Sequence, residues 1–197
     1  MKELWNQRFA TEDYFYGIEP NEFFEKELKT LKPGRILLPM EGEGKNAIYA
    51  AKLGWEVIAY DYSDIGQQKA LRLAKENNVE IEYLLVDNES FKYDGEKFDA
   101  IAFIYTHLKS ELRRAFFNKL LGFLKPDAEV ILEAYSKEQL QLGTGGPPNI
   151  DLLYSVDDLK VDFKSLKEVK LEKSIIDITE GDGHNGSSSV IRLRGVV

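Results

Sequence analysis

Cysteine is missing altogether from these 197 residues. Its absence removes disulfides, thiolate nucleophiles and zinc–sulfur sites together, and it fits a reducing, cytoplasmic setting. Histidine is scarce, with two residues, His107 and His184, so any imidazole chemistry rests on those two positions. No apolar run approaches the ~20 residues of a membrane span, and Met1-Lys-Glu-Leu-Trp-Asn-Gln-Arg8 carries charge where a secretory leader needs an apolar core. No membrane partner is expected. Positive charge is in deficit, 26 Lys and Arg against 34 Asp and Glu, for a net charge of −8. Binding to a phosphate backbone relies on clustered Lys and Arg, so a nucleic-acid partner is not expected either. Internal repeats and low-complexity segments are absent. What is left is a one-domain chain that handles small molecules, as a monomer or homodimer.

What is present is a regular alternation. Trp5, Arg8 and Phe9 lie at helical spacing, and Asn21 after Pro20 can cap a helix over residues 22–31 before Pro33-Gly34 ends it. Short apolar strands are then expected at 35–39, 56–60, 81–86, 98–104 and 129–134. Helices fall between them at 45–53, from Ser63 or Asp64 to about 77, and at 110–124. Strand and helix periods alternating in this way call for a parallel sheet covered on both faces, a Rossmann-like doubly wound α/β fold. The tail breaks the rhythm. Ser155-Val-Asp-Asp158 resembles a capping box leading a short helix, and two β-rich runs, 169–179 and 187–196, flank the Gly-rich link 180–186. Such runs are antiparallel neighbours, so a C-terminal hairpin should finish a five-stranded parallel core. The division expected is an N-terminal helical lid (1–33), a cofactor-binding α/β core (34–136), and a substrate-side loop, helix and terminal hairpin (137–197).

The polar residues collect at strand ends, where open α/β sheets bind their ligands. Glu41-Gly42-Glu43-Gly44 follows the first strand, Asp61 the second, and Asp87-Asn88 the third. Asp61 lies 19 residues beyond Gly42, near the offset at which a carboxylate meets a ribose diol. Asp87 can accept from an exocyclic adenine amine. Gly42-x-Gly44-x-x-Ala47 formally matches a dinucleotide loop, but a pyrophosphate prefers N–H groups with no anion nearby, and this loop carries Glu41 and Glu43. Carboxylates suit a cofactor with cationic groups. S-adenosylmethionine, with its ammonium and sulfonium, fits; a nicotinamide-dependent reductase is the rival reading.

Several motifs in order carry a family resemblance: Trp5-x-x-Arg8, Tyr16-Gly-x-x-Pro20-Asn21, Glu41-Gly-Glu-Gly-Lys-Asn46, Gly54-Trp-Glu-Val-Ile-Ala-Tyr-Asp61-Tyr-Ser63, Phe98-Asp99 and Leu124-Lys-Pro126. Over nearly its whole length the chain resembles class I S-adenosylmethionine-dependent methyltransferases, closest to the branch of the tellurite-resistance and thiopurine methyltransferases. The resemblance implies a seven-stranded sheet with its last strand antiparallel, S-adenosylmethionine as cofactor, and Asp61 on its ribose. Two positions depart from the family. Leu38 stands where an acidic residue is expected and Met40 where the first glycine is, so Glu41 is left to supply the missing carboxylate.

The expected cofactor set is Arg8, Glu41, Gly42, Glu43, Gly44, Asn46, Asp61, Tyr62, Ser63, Asp87, Asn88 and Tyr105. Trp5, Arg8 and Tyr16 form the lid, with Arg8 pairing the cofactor carboxylate. Methyl transfer is an in-line displacement that depends on alignment, and a general base is needed only for a protonated acceptor. The catalytic candidates are therefore His107, after the fourth strand, and His184, in the Gly-rich link. No metal is called for. A protein that binds S-adenosylmethionine or its homocysteine product without catalysis is the other alternative.

Overall fold

The computed structural model describes residues 2–197, which divide into two compact units. The first runs to Glu96 and takes in Glu180–Gly183; the second comprises Lys97–Thr179 and His184–Val197.

In the first unit, helices α1 (Lys2–Phe9) and α2 (Glu22–Leu28) precede β1 (Arg35–Pro39), α3 (Lys45–Lys52), β2 (Glu56–Asp61), α4 (Asp64–Glu76) and β3 (Glu82–Leu85). Asn21 caps α2 by accepting from Phe24 N, and Ser63 caps α4 by accepting from Gly66 N. β1 and β3 both pair parallel with β2, and the register sets Pro39 beside Tyr60 and Asp61 beside Leu85. The carboxyl ends of these strands therefore share one edge. β1 is apolar on both sides of its pleat, with Ile36, Leu37 and Leu38 fully buried, as a strand covered by helices on both faces requires.

In the second unit, β4 (Phe98–Ile104), α5 (Ser110–Leu121) and β5 (Leu124–Tyr135) are followed by α6 (Val156–Asp162), β6 (Lys167–Glu180) and β7 (His184–Val196). β4 and β5 are parallel, and β5 and β7 are antiparallel. The strand order through the chain is β3-β2-β1-β4-β5-β7-β6, the seven-stranded, mainly parallel α/β sheet with an antiparallel C-terminal hairpin that the sequence implies. The capping box at Ser155 and Asp158 forms in full.

Several boundaries differ from expectation. Helix α5 stops at Leu121, because Leu124 pairs with Phe98 as the first residue of β5. The segment Lys125-Pro126-Asp127-Ala128, which falls between the expected helix and strand, lies inside that strand. The β4–β5 register shifts between Phe98 and Ala100, and Asp127 sits at φ 61, the geometry of a bulge that tolerates a proline. The Gly-rich link is short: β6 runs to Glu180 and β7 begins at His184, leaving three turn residues. His184 is thus a strand residue, buried at 7% exposure, rather than part of a solvated loop. Helix α2 ends at Leu28, three residues short of the expected 31.

Candidate functional site

The loop after β1 is built from left-handed backbone. Met40, Gly42 and Gly44 all have positive φ, at 57°, 60° and 88°. At Met40 this is the position where the family has glycine, and a side chain there costs about 1–2 kcal/mol. The Met40 sulfur accepts from Asn88 Nδ2 at 3.2 Å, which ties the first loop to the end of β3. Gly44 has a second reason to be glycine, since a Cβ there would stand 2.5 Å from the Cβ of Ala70 on α4. Helix α4 can approach this closely because its own Gly66 packs against Gly42 O.

The two glutamates of the loop differ in kind. Glu43 is buried and fully committed: Lys69 donates to Oε1 at 2.6 Å, and Tyr16 N donates to Oε2 at 3.4 Å. Glu41 is part-buried and meets N–H groups alone. Ala47 N donates to Oε1 at 2.8 Å and Asn46 Nδ2 to Oε2 at 3.4 Å, and no described cation pairs with it. Gly44, the N-cap of α3, has no side chain to offer, so Glu41 satisfies an orphan donor of the helix start in its place. Burial pushes the Glu41 carboxyl up to about 7, against the opposing pull of those hydrogen bonds and of Lys45.

Asp61, at the end of β2, accepts from Ser63 N at 2.8 Å on one oxygen and from Gly42 N at 3.3 Å on the other. Burial raises its carboxyl, and these backbone donors work against the rise. Tyr62 beside it is part-buried, its phenol pushed up to about 12 by burial and then by Asp61. Ser63 Oγ donates to Asn6 Oδ1 at 2.6 Å, so α1 is fastened to the β2–α4 turn. Asp87 is exposed and accepts from Ser90 N at 2.7 Å. Arg8 is exposed too, its guanidinium 4.8 Å from the Trp5 ring and 5.9 Å from that of Phe15. Asn46 is used at both ends, since its Oδ1 accepts from Asn21 N at 2.9 Å.

Lys69, Lys45, Glu180 and Tyr83, absent from the expected site set, organise this loop together with the cap residue Asn21. Lys69 gathers the carbonyls of Phe9, Thr11 and Asp13 as well as Glu43. Lys45 pairs with Glu180 at 2.7 Å and donates to Tyr16 O. Asn21 Nδ2 donates to the other Glu180 oxygen, and Tyr83 Oη donates to Gly42 O at 2.6 Å. Lys69 left a trace in the sequence. It occupies the buried stripe Gly66, Lys69, Ala70, Leu73, Ala74, where a lysine demands a buried anion.

Tyr105, His107 and His184 belong to the second unit, where they come together. The Tyr105 ring lies 4.3 Å from His184 and 4.8 Å from Tyr135, and its hydroxyl donates to Glu133 at 2.9 Å. Tyr105 has φ 50, another side chain held in the left-handed region. His107 faces the carbonyl of Leu152 at 2.8 Å through Nδ1; a carbonyl only accepts, so Nδ1 carries the proton. Its Nε2 then accepts from Tyr135 N at 3.5 Å. Burial pulls His107 down to about 4, with His184 adding to the effect.

Residues 37–127 match the family model of the methyltransferase domain. Among curated proteins, the tRNA (uracil(54)-C(5))-methyltransferase of Pyrococcus horikoshii is 29% identical over 115 residues, 51% of this chain but 28% of that protein, so the likeness spans a minor part of the relative. Among solved structures, a protein from the conversion of a disulfide bond into a thioacetal group during echinomycin biosynthesis aligns with a TM-score of 0.79 at 17% identity, covering 100% of this chain and 91% of the other. The N-methyltransferase NodS of Bradyrhizobium japonicum, in complex with S-adenosyl-L-homocysteine, aligns with a TM-score of 0.70 at 12% identity, over 99% and 97% of the two chains. Over residues 37–127 the chain matches a methyltransferase domain, of the kind whose cofactor is S-adenosylmethionine. The first unit fits that cofactor chemically: Asp61 keeps carboxylate lone pairs for a diol, and Glu41 is a carboxyl group with no ion-pair partner among the described residues. No helix among the described residues is long and apolar enough to cross a membrane.

Proposed function

We propose that the chain transfers the methyl group of S-adenosylmethionine to a small-molecule acceptor in the cytoplasm, in the manner of the tellurite-resistance and thiopurine branch. The observation that carries this reading is the joint setting of Asp61 and the β1 loop. A single carboxylate at the end of β2 accepts from Gly42 N, so the ribose-binding group and the left-handed loop are positioned by one hydrogen bond. Within the first unit the cofactor set comprises Arg8, Glu41, Gly42, Gly44, Asp61, Tyr62, Ser63, Asp87 and Asn88; Tyr105, in the second unit, is proposed as a cofactor residue from its place after β4 in the chain. Glu43 and Asn46, whose polar atoms are taken by Lys69, Tyr16, Asn21 and Glu41, act as positioning residues.

S-adenosylmethionine held by these residues would supply an electrophilic methyl group, with the neutral thioether as leaving group. The chain aligns the acceptor with that methyl group and excludes water, a contribution of about 7–11 kcal/mol in well-oriented systems. His107 is held neutral between two backbone groups and serves alignment; His184 is the histidine left for proton transfer where the acceptor needs it. The net charge of −8 favours a small acceptor over a polyanion.

Calorimetry with S-adenosylmethionine, S-adenosylhomocysteine and NADH tests the cofactor, and failure of both sulfur compounds to bind would overturn the reading. Asp61→Ala should weaken S-adenosylmethionine binding by about 1–3 kcal/mol, the scale for hydrogen bonds to a charged group. A screen of thiols, selenite, tellurite and small amines against a tRNA transcript tests the acceptor. Methylation of the transcript alone would refute the small-molecule assignment.

A further inference from the structure

We propose that Glu41 is the counter-charge for a cationic group of the cofactor, and that cofactor binding by this chain therefore releases a proton. The inference rests on the cofactor reading above. Its geometric basis is the unequal treatment of carboxylates in the first unit. Glu43 lies 2.6 Å from the Lys69 ammonium, and Glu180 lies 2.7 Å from that of Lys45. Glu41, in the same loop as Glu43, meets the Ala47 N–H and the Asn46 amide and nothing cationic among the described residues. It also remains part-open where Glu43 is closed over.

The neighbouring ionisable groups do not neutralise it. Lys45 on α3 is committed to Glu180 and Tyr16 O. Tyr83 on β3 is held neutral, raised by burial and then by Asp61, Glu41 and Glu43. Asp61 at the end of β2 is a second raised carboxylate rather than a partner. A part-buried carboxylate with no cation paired to it holds its proton more tightly, and with burial pushing Glu41 up to about 7 against the weaker pull of Lys45, that proton is present through mildly acidic pH. A cation placed against it favours the ionised form, so the proton must leave as the cofactor enters. The position fits the departure of this loop from its family: Leu38 has removed the usual acid, and Glu41 supplies an anion three residues later.

Calorimetry on the full chain, with S-adenosylmethionine at pH 5.5, 6.2 and 7.0 in two buffers of different ionisation enthalpy, tests this. With Glu41 at about 7 in the free protein and ionised in the complex, affinity should be about 15-fold tighter at pH 7.0 than at pH 5.5. Proton release should be close to one near pH 6 and about one half at pH 7. S-adenosylhomocysteine and 5′-methylthioadenosine locate the cation. The same dependence with both sulfur amino-acid nucleosides supports the ammonium, and dependence with S-adenosylmethionine alone supports the sulfonium. An equal dependence with uncharged 5′-methylthioadenosine overturns the proposal, as does retention of the slope in Glu41→Gln, which would assign it to Asp61. Should Glu41→Gln not fold, the wild-type measurement decides: binding that is flat from pH 5.5 to 7.0 refutes the inference and leaves the cofactor reading standing. No binding at any pH removes both.

Discussion

Replacing Lys69 with methionine should be among the most damaging substitutions in the first unit. Its side chain is 7% exposed and that of Glu43 3% exposed, with 2.6 Å between the ammonium and the carboxylate. Methionine matches the length of the aliphatic stem, so the packing change is small and the electrostatic loss dominates. Removing one partner of a buried pair leaves the other as an uncompensated charge, at a cost of about 3–5 kcal/mol. The carbonyls of Phe9, Thr11 and Asp13 also lose their donor; Thr11 and Asp13 are exposed, so water can replace it there, whereas Phe9 is buried and its lost bond adds to the cost. For a chain of this size each kcal/mol lowers Tm by about 2–4 °C, so a loss of roughly 6–20 °C is expected. Adding Glu43→Gln to Lys69→Met removes the stranded charge and should restore about half or more of the loss, a coupling visible in a double-mutant cycle. Urea unfolding followed by tryptophan fluorescence and circular dichroism is the assay. A loss below about 1 kcal/mol for Lys69→Met, or a double variant as unstable as the single, would refute the argument that the pair is what matters.

Gly44→Ala should cost about 2–5 kcal/mol, combining left-handed backbone with a Cβ pressed to 2.5 Å from Ala70, and an unchanged melting temperature would show that the loop relaxes freely. Ser155→Ala should cost about 1 kcal/mol through the lost cap of α6, measured by the same unfolding curves. Asp158 carries its stabilising charge to low pH: burial pushes it up, but Lys137 and Ser155 outweigh that and bring it to about 2. Its folded value lies below its unfolded one, so its contribution is complete above about pH 4 and disappears as pH falls toward 2, and the stability gap between wild type and Asp158→Asn should close over that interval.

The parts of the fold legible in the sequence are those decided locally. Ser63, Asn21 and the Ser155–Asp158 box each cap the helix that follows them, because a short polar side chain before an apolar periodic run has one favourable use. The strands β1 and β2 emerge as uninterrupted apolar runs for the same reason. What local pattern does not contain is pairing. Leu124 continues the helical period of α5 in sequence, yet joins β5 because Phe98 lies opposite it. His184 sits among glycines and asparagine, yet starts a strand.

The same division between local and non-local causes governs the site. The loop Glu41–Gly44 announces a cationic cofactor through its composition, but its two glutamates read alike in sequence and separate only through partners 26 and 6 residues away, Lys69 and Ala47. His107 and Glu41 extend that contrast to a measurable opposition. His107, pulled from 6.5 to about 4 by burial, must lose a proton to fold in mild acid, so the stability it confers falls as pH drops below about 6.5. Glu41, raised from 4.5 to about 7, behaves in the opposite sense: ionising it in the fold costs stability as pH rises through the same interval. Between pH 4.5 and 6.5 the two slopes oppose each other, and the free protein should show a nearly flat stability profile there. His107→Gln leaves Glu41, with the raised Asp61 acting in the same sense, unopposed by the imidazole, so stability should then rise on acidification, by on the order of 1–2 kcal/mol across the interval. Urea midpoints at pH 6.5 and 4.5 for both proteins check this. Parallel profiles for wild type and variant would refute the reading of His107, and a flat profile in His107→Gln that of Glu41.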